Sequence, residues 1–288
     1  MSARVLSRIV AAGHQSAKFG SKSMAKLKTR SETERNKKRA SIIIPCWNQV
    51  RYTRQCVRSV LRWTRAPFEL ILVDNGSTDG TAAFLSELRE SAGARIIANR
   101  RNLGFARAVN QGMASANGKY LVWLNNDAVV TREWLDRLIA CAERSPRIAA
   151  VGPVVNGDDG RRPMNLNWAA AALALANGGK TFRAAWLTGY CLLLKRAAVR
   201  RVGPLDLRFE EGGYEDYDYC LRLRRAGYEL AVAQDAFVFH HWHRSFASGA
   251  KHRERMAANR RVFRDKWRRV LEAPASVMPP RQPSPPRR

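Results

Sequence analysis

Acid is what this sequence lacks. Against 51 Lys and Arg stand 24 Asp and Glu, a formal net charge of +27 at pH 7. No acid precedes Glu32, and the excess is heaviest at the ends: eleven basic residues face two acids over 1–40, and twelve face three over 251–288. Such ends attract anionic surfaces (nucleic acid, anionic lipid or anionic glycan) unless they are solvated tails without a dedicated partner. The nucleic-acid reading rests on charge alone. No helix-turn-helix, zinc finger, ribonucleoprotein signature or aromatic-basic interleaving supports it. Cysteine is sparse as well. The five residues Cys46, Cys56, Cys141, Cys191 and Cys220 are scattered with no C-x-x-C, which excludes a zinc ribbon or dithiol site. An odd count without a secretory signal predicts reduced thiols and a cytoplasmic protein. No apolar run reaches the roughly 18–20 residues of a membrane span; the longest candidate, 168–176, is short and Ala-rich.

What is present is a core-forming middle. Hydrophobic residues make up 45% of the chain, ample for a domain core. Residues 1–40 suit a disordered arm, a transit-peptide-like leader, or an amphipathic surface helix using Val5, Leu6, Ile9 and Val10. From Ser41 onward, apolar runs at 41–45, 68–74, 95–98, 120–124 and 148–155 alternate with helical patterns at 52–63, 81–90, 105–116 and 134–143. That alternation predicts an α/β fold: a Rossmann-like, mostly parallel central sheet with helices on both faces. The stretch 156–185 reads as an irregular loop insertion. A strand at 187–195, a turn at 202–208, a helix at 215–226 closed by Gly227, and strands at 228–233 and 236–239 follow. A basic helix at 251–272 has Met256, Val262, Phe263, Trp267 and Val270 as apolar positions, and the Pro/Arg tail 273–288 is expected to be disordered.

In parallel sheets, ligands bind outside the carboxyl ends of the strands. The polar turns starting at Trp47, Asp74, Asn102 and Asn125 all fall at that edge. At 120–130 an apolar strand runs into Asn125-Asn126-Asp127. A hard divalent cation takes oxygen ligands and leaves room for a substrate's phosphates, so Asp127 is a candidate ligand; the plainer reading is a turn with Thr131 as helix cap. Asp74, opening the run Asp-Asn-Gly-Ser-Thr-Asp-Gly, can accept from a nucleobase imide or a ribose hydroxyl, or close an Asx-turn. Glu215, Asp216 and Asp218 crowd one helix start, where the helix dipole accounts for one carboxylate better than for three. His240 ends a strand, and its neutral imidazole can join Asp127 on a metal or simply serve the structure. A zinc cluster of His240, His241 and His243 is not expected, because neighbours on a strand point to opposite faces.

Taken in order, Pro45 with Asn48, the run 73–81, Asn102-x-Gly104-Phe105-Ala106 with Asn110-x-Gly112, and Leu124-Asn-Asn-Asp127 resemble the inverting nucleotide-sugar glycosyltransferases of family two, which have the GT-A fold. The later run 186–196, Val-Gly-Pro-Leu-Asp206 and Glu215-Asp216-Tyr-Asp218 resembles the rhamnosyltransferase-like branch. The resemblance covers about 41–246 and leaves the ends out. It implies a nucleotide-binding half, 41–130, and an acceptor half, 131–250.

The roles it implies fall on matching residues. Asp74 grips a pyrimidine base, with Pro45, Trp47, Asn48 and Asn75 lining the nucleotide pocket. Asn102, Gly104 and Asn110 lie near ribose and phosphate, with Arg107 as a further phosphate contact and Asn126 as a further nucleotide-binding residue. Asp127, and His240 with it, holds Mg²⁺ or Mn²⁺; Asn125 departs from the family's first carboxylate and leaves that site one charge poorer. Asp216 is the general base, with Glu215 the alternative and Asp218 holding structure. Gly189 admits donor sugar and acceptor, and Trp186 either stacks on a sugar or fills the core. The implied activity moves a sugar, with inversion, from a UDP- or dTDP-sugar such as dTDP-rhamnose to a hydroxyl of an envelope polysaccharide or lipid-linked glycan. The expected location is the cytoplasm, peripheral to the inner face of an anionic membrane. A degenerate nucleotide-sugar binder without turnover is the competing reading that Asn125 motivates.

Overall fold

The computed structural model describes residues 40–156, 165–209, 212–242 and 250–272. The expectations for the basic arm, the Pro/Arg tail and His243 lie outside them. Its first half is the alternation read from the sequence: β1 (Ala40–Cys46), α1 (Val50–Trp63), β2 (Phe68–Asp74), α2 (Thr81–Ala92), β3 (Arg95–Ala98), α3 (Phe105–Ser115) and β4 (Tyr120–Leu124). Strands β3, β2, β1 and β4 lie side by side and parallel. Their apolar residues alternate between the two faces. Ile42, Ile44, Leu70 and Leu72 pack with α1, α2 and a later helix, while Ile43, Ile71 and Val73 pack under α3.

The sheet splits where the site forms. Strand β1 is paired with β2 along its whole length, but with β4 only from Ala40 to Ile43. Beyond Ile43 the two strands part, and the loops after β1, β2 and β4 open onto one crevice, as ligand sites in open α/β sheets do. Pro45 sits past the split, so its missing N–H breaks no bond to β4.

The second half continues with β5 (Ala128–Val130), α4 (Trp134–Glu143), β6 (Ile148–Val154), α5 (Leu166–Asn177), β7 (Thr181–Ala184), β8 (Cys191–Lys195), α6 (Arg196–Val202), α7 (Glu215–Arg225), β9 (Glu229–His240) and α8 (Ala250–Leu271). The sheet order is β3-β2-β1-β4-β8-β6-β9-β5, with β7 paired to β9. Strands β6 and β9 run with the parallel set, whereas β8, β5 and β7 run against it. The fold is thus the expected α/β sheet, with an antiparallel strand wedged between β4 and β6.

Two expectations need correction, and one element was not expected. The stretch 156–185 is not an irregular insertion, since it contains α5 and β7. Asn165 caps α5 by accepting from the backbone N–H groups of Asn167 and Trp168, and alanine, the strongest helix former, fills the helix. The two short strands at 228–233 and 236–239 are one long β9, which shifts register near Val154 and Phe237 instead of ending. Helix α6 also went unread, because its Arg-rich seven residues show no apolar period. Helix α8 keeps its expected apolar positions, and it spends them on packing: Phe263 is buried against Phe209 and Leu221, with Trp267 and Val270 beside them.

Candidate active site

The loops after β1, β2 and β3 are tied together by their own polar groups. Asp74, buried at the end of β2, accepts from the Ser77 backbone N–H at 3.0 Å. Asn48 spans two loops: its backbone N–H donates to Ser77 Oγ, and its side-chain oxygen accepts from the Thr78 N–H at 2.8 Å. Asp79, not singled out in the sequence, accepts from the Val50 N–H and the Thr81 N–H and so caps both α1 and α2. Burial raises its pKa, but the bonds from Thr81 and Val50 outweigh that and hold its carboxyl below the usual range. Asn75 knits the next loop in, donating to Asn102 Oδ1 at 2.7 Å and to the Gly104 carbonyl, and accepting from Asn99 and the Leu103 N–H. Trp47 stands 38% exposed at the mouth. Asn102, Gly104 and Arg107 line a cavity of about 510 Å³ with Arg101 and Leu207, two guanidinium-bearing residues on a lip that suits an anion.

Two residues expected among these contacts are engaged elsewhere. Asn126 turns inward, is 3% exposed, and donates to Thr53 Oγ1 at 2.9 Å. Asn110 exchanges both amide groups with the Leu205 backbone at 2.8 and 2.9 Å, fixing the turn after α6.

At the end of β4, Asp127 Oδ1 lies 2.9 Å from His240 Nε2, both groups being buried. Asn125 Nδ2 lies 3.3 Å from the same Nε2. A half-turn about χ2 puts the Asn125 carbonyl oxygen there instead. The pair is held by neighbours the sequence did not reveal. Asn156 accepts from the His240 N–H and donates to the His240 carbonyl, at 2.8 and 3.1 Å. The Tyr190 ring stacks on the imidazole with centroids 5.2 Å apart. His241 faces the other way, onto Gln55 and Tyr52, as strand alternation requires. A carboxylate, an imidazole and an amide carbonyl fit a divalent cation that draws its remaining ligands from diphosphate oxygens and water. Among the described residues no cluster of three His, Cys, Asp or Glu side chains is placed to hold a metal.

The acidic pair opens α7. Asp216 is buried, and its two oxygens accept from the Gly189 and Tyr217 backbone N–H groups at 2.8 Å each. A Cβ on Gly189 would lie 3.2 Å from Asp216 Cβ, so glycine lets the carboxylate settle on that backbone. Glu215 accepts from the Gly213 N–H. Burial, then the charge of Asp216, pushes the Glu215 pKa up to about 8. Burial also raises Asp216, partly offset by its two backbone donors. Burial thus holds both carboxyls above their ordinary range, and the Asp216 charge adds to the rise at Glu215. The loop ahead is held in positive-φ backbone at Gly212, Gly213 and Tyr214, a conformation costly for the tyrosine. Helix α8 clamps it. Asn259 donates to the Gly212 and Gly213 carbonyls, and Met256 Sδ fills the space a Gly213 Cβ would need.

Asp218 is structural, as expected. It is fully buried and bound to Arg222, Lys266 and the Trp267 indole N–H. Trp186 packs on Tyr217 and Phe263 within this cluster. The five cysteines are free and buried. Burial holds Cys141 at about 11 and Cys220 at about 12, which leaves them protonated thiols.

Two consecutive residues join the pairs. Gly189 holds Asp216, while Tyr190 stacks on His240 and takes the Asn125 N–H on its carbonyl at 2.8 Å.

Residues 41–203 match the family model described as Glycosyl transferase family 2. An N-acetylglucosaminyl-diphospho-decaprenol L-rhamnosyltransferase of Mycobacterium tuberculosis (strain ATCC 25618 / H37Rv) is 28% identical over 211 residues, covering 62% of this chain and 68% of the relative. A PGL/p-HBAD biosynthesis glycosyltransferase of Mycobacterium bovis (strain BCG / Pasteur 1173P2) is 30% identical over 188 residues, covering 63% and 68%. An uncharacterized protein of Sinorhizobium fredii, y4gI, is 29% identical over 224 residues; the match covers 70% of this chain and only 24% of that longer protein. Among solved structures, S. aureus TarS 1-349 in complex with UDP-GlcNAc aligns with a TM-score of 0.60 at 17% identity, covering 82% of this chain and 67% of that one. GalNAc-T7 with UDP, GalNAc and Mn²⁺ aligns with a TM-score of 0.59 at 18% identity, covering 71% and 44%. At these identities the likeness is one of fold, the GT-A type.

Proposed function

The chain belongs to glycosyl transferase family 2, and from that premise we propose that it moves a sugar, with inversion, from a nucleoside diphosphate donor to a hydroxyl of a cell-envelope polysaccharide or lipid-linked glycan. The observation that supports this is that two consecutive residues, Gly189 and Tyr190, contact the Asp216 carboxylate and the His240 ring of the Asp127–His240 pair. The relative named as an N-acetylglucosaminyl-diphospho-decaprenol L-rhamnosyltransferase favours a lipid-linked acceptor and makes dTDP-rhamnose a donor to try first.

Asp216 takes the acceptor hydroxyl proton. The freed oxygen bonds to the anomeric carbon from the side opposite the diphosphate, whose C–O bond breaks and keeps the electron pair. Configuration inverts in that single displacement. Glu215, still protonated near neutrality, adds no second negative charge beside the base. Asp127, His240 and the Asn125 carbonyl would hold a divalent cation, which when bound supplies charge neutralisation for the leaving diphosphate. Asp74 accepts from the base or ribose of the donor, and Arg107, with Arg101, lines an anion-suited cavity beside it.

A donor panel tests the reading, scoring release of nucleoside diphosphate with and without Mn²⁺ in the presence of glycan and lipid-linked acceptors. The reading predicts turnover with at least one UDP- or dTDP-sugar, and its loss in Asp127→Ala. Tight donor binding without turnover across the panel would instead favour the degenerate binder that Asn125 motivates.

A further inference from the structure

Helix α5 is apolar on two sides, and only one of them is used. Its inner side packs Leu166, Ala170 and Leu173 against Val129 of β5 and Phe237 and Phe239 of β9. Among the described residues, nothing packs on its outer side. Trp168 is 73% exposed and Leu175 is 90% exposed, with Ala171, Ala172 and Ala176 exposed between and beside them. The spacing 168, 171, 172, 175, 176 is that of one helical stripe. A single exposed Leu is ordinary, but a contiguous stripe with a Trp marks a docking face. No charged residue occurs from 165 to 179.

Cations gather at the end of the stripe. Lys180 and Arg183 follow α5, and 165–184 contains no acid. Arg144 reaches to the Gly179 turn. Arg147 and Arg183, both largely exposed, share the single carboxylate of Glu229. An apolar helical stripe, an exposed indole and a basic rim match the interface of an anionic bilayer: alkyl groups enter the acyl boundary, the indole sits among headgroups, and the cations meet phosphates. A second copy of the chain fits less well, since 165–184 offers no acid to meet the partner's cations. The position of α5 suits the bilayer too. It rests on β5, which starts one residue after Asp127, and on β9, which ends at His240.

We propose that α5 is a membrane-docking helix, lying in the headgroup region of an anionic bilayer through Trp168 and Leu175. The contact seats the Asp127–His240 end of the sheet beside the lipid surface. Binding needs no sugar transfer, so its test stands apart from donor turnover.

The experiment is vesicle flotation of the full chain with phosphatidylcholine alone and with phosphatidylcholine plus phosphatidylglycerol. Parent, Leu175→Glu, Trp168→Ser and Leu61→Glu are compared; Leu61 is a 42% exposed residue of α1, and its substitution makes the same charge change on that helix. Thermal unfolding midpoints verify that each variant is folded. The parent is expected to float with the anionic vesicles, Leu175→Glu to partition about tenfold more weakly, Trp168→Ser to weaken too, and Leu61→Glu to match the parent. The proposal is overturned if the parent ignores anionic vesicles, if folded Leu175→Glu and Trp168→Ser bind as the parent does, or if Leu61→Glu loses as much as Leu175→Glu. Light scattering that finds a parent dimer split by Leu175→Glu overturns it as well, by assigning the stripe to self-association.

Discussion

Gly189 shows how finely the acid pair is placed. Its N–H holds Asp216 Oδ2, and an added methyl would press on Asp216 at 3.2 Å. Gly189→Ala should lower turnover roughly tenfold through misplacement of the base while leaving donor affinity near the parent value, as initial-rate kinetics and donor titration can check. Glu215 makes a different prediction. Its folded pKa is near 8 against an ordinary 4.5. The folded state therefore keeps a proton that the unfolded chain has already lost, and this contribution to stability falls as pH rises through that window and is gone above it. Glu215→Gln removes the effect, so its unfolding free energy should fall less than the parent's between those two pH values; identical pH profiles would contradict the assignment. At this scale the sequence was most legible where a residue belongs to a motif. Asp127 and His240 meet after β4, Asp216 binds the Gly189 N–H beside Tyr190, and Asp74 closes the turn after β2. Asn156 and Tyr190, which hold His240, were invisible because their partners are more than forty residues away in the chain. Asn110 and Asn126 carry motif residue types yet spend their amides on the fold.

Helices α7 and α8 act as a unit. The fully buried Asp218 is gripped from α8 by Lys266 and Trp267, and Asn259 holds the carbonyls of the strained loop before Glu215. Trp267→Phe keeps the ring and removes one bond to a buried carboxylate, which should cost about 1.5–3 kcal/mol in denaturant unfolding. Asn259→Ala should cost about 1–3 kcal/mol by stranding two loop carbonyls. It should also lower kcat more than it changes donor KM, because the loop carries the acid pair and not the nucleotide. Equal loss in both parameters would mean that α8 supports only the fold. The apolar positions of α8 were readable from its periodicity, though their partners were not. Helix α5 was missed for a physical reason: it is apolar on both sides and has no amphipathic period to read.

Across the molecule, the alternation of apolar strands and helices was enough to place the parallel half and the edge where the loops after β1, β2 and β4 lie. The antiparallel wedge β8 was beyond it, since a buried strand reads the same in either direction. The split between β1 and β4, with β8 returning beside β4, brings Gly189 and Tyr190 from late in the chain to the loop after β4. Metal removal should act on this same place. Chelation of a turning-over enzyme is expected to suppress nucleoside diphosphate release, with recovery on adding Mn²⁺ or Mg²⁺, and with a smaller effect on donor binding than on rate. The most direct measurement is nucleoside diphosphate release by Asp216→Asn, set beside the parent at saturating donor and acceptor. With Asp216 as the general base, release should fall by roughly a hundredfold to ten-thousandfold while donor affinity stays at the parent value; a variant that turns over as fast as the parent would contradict the account.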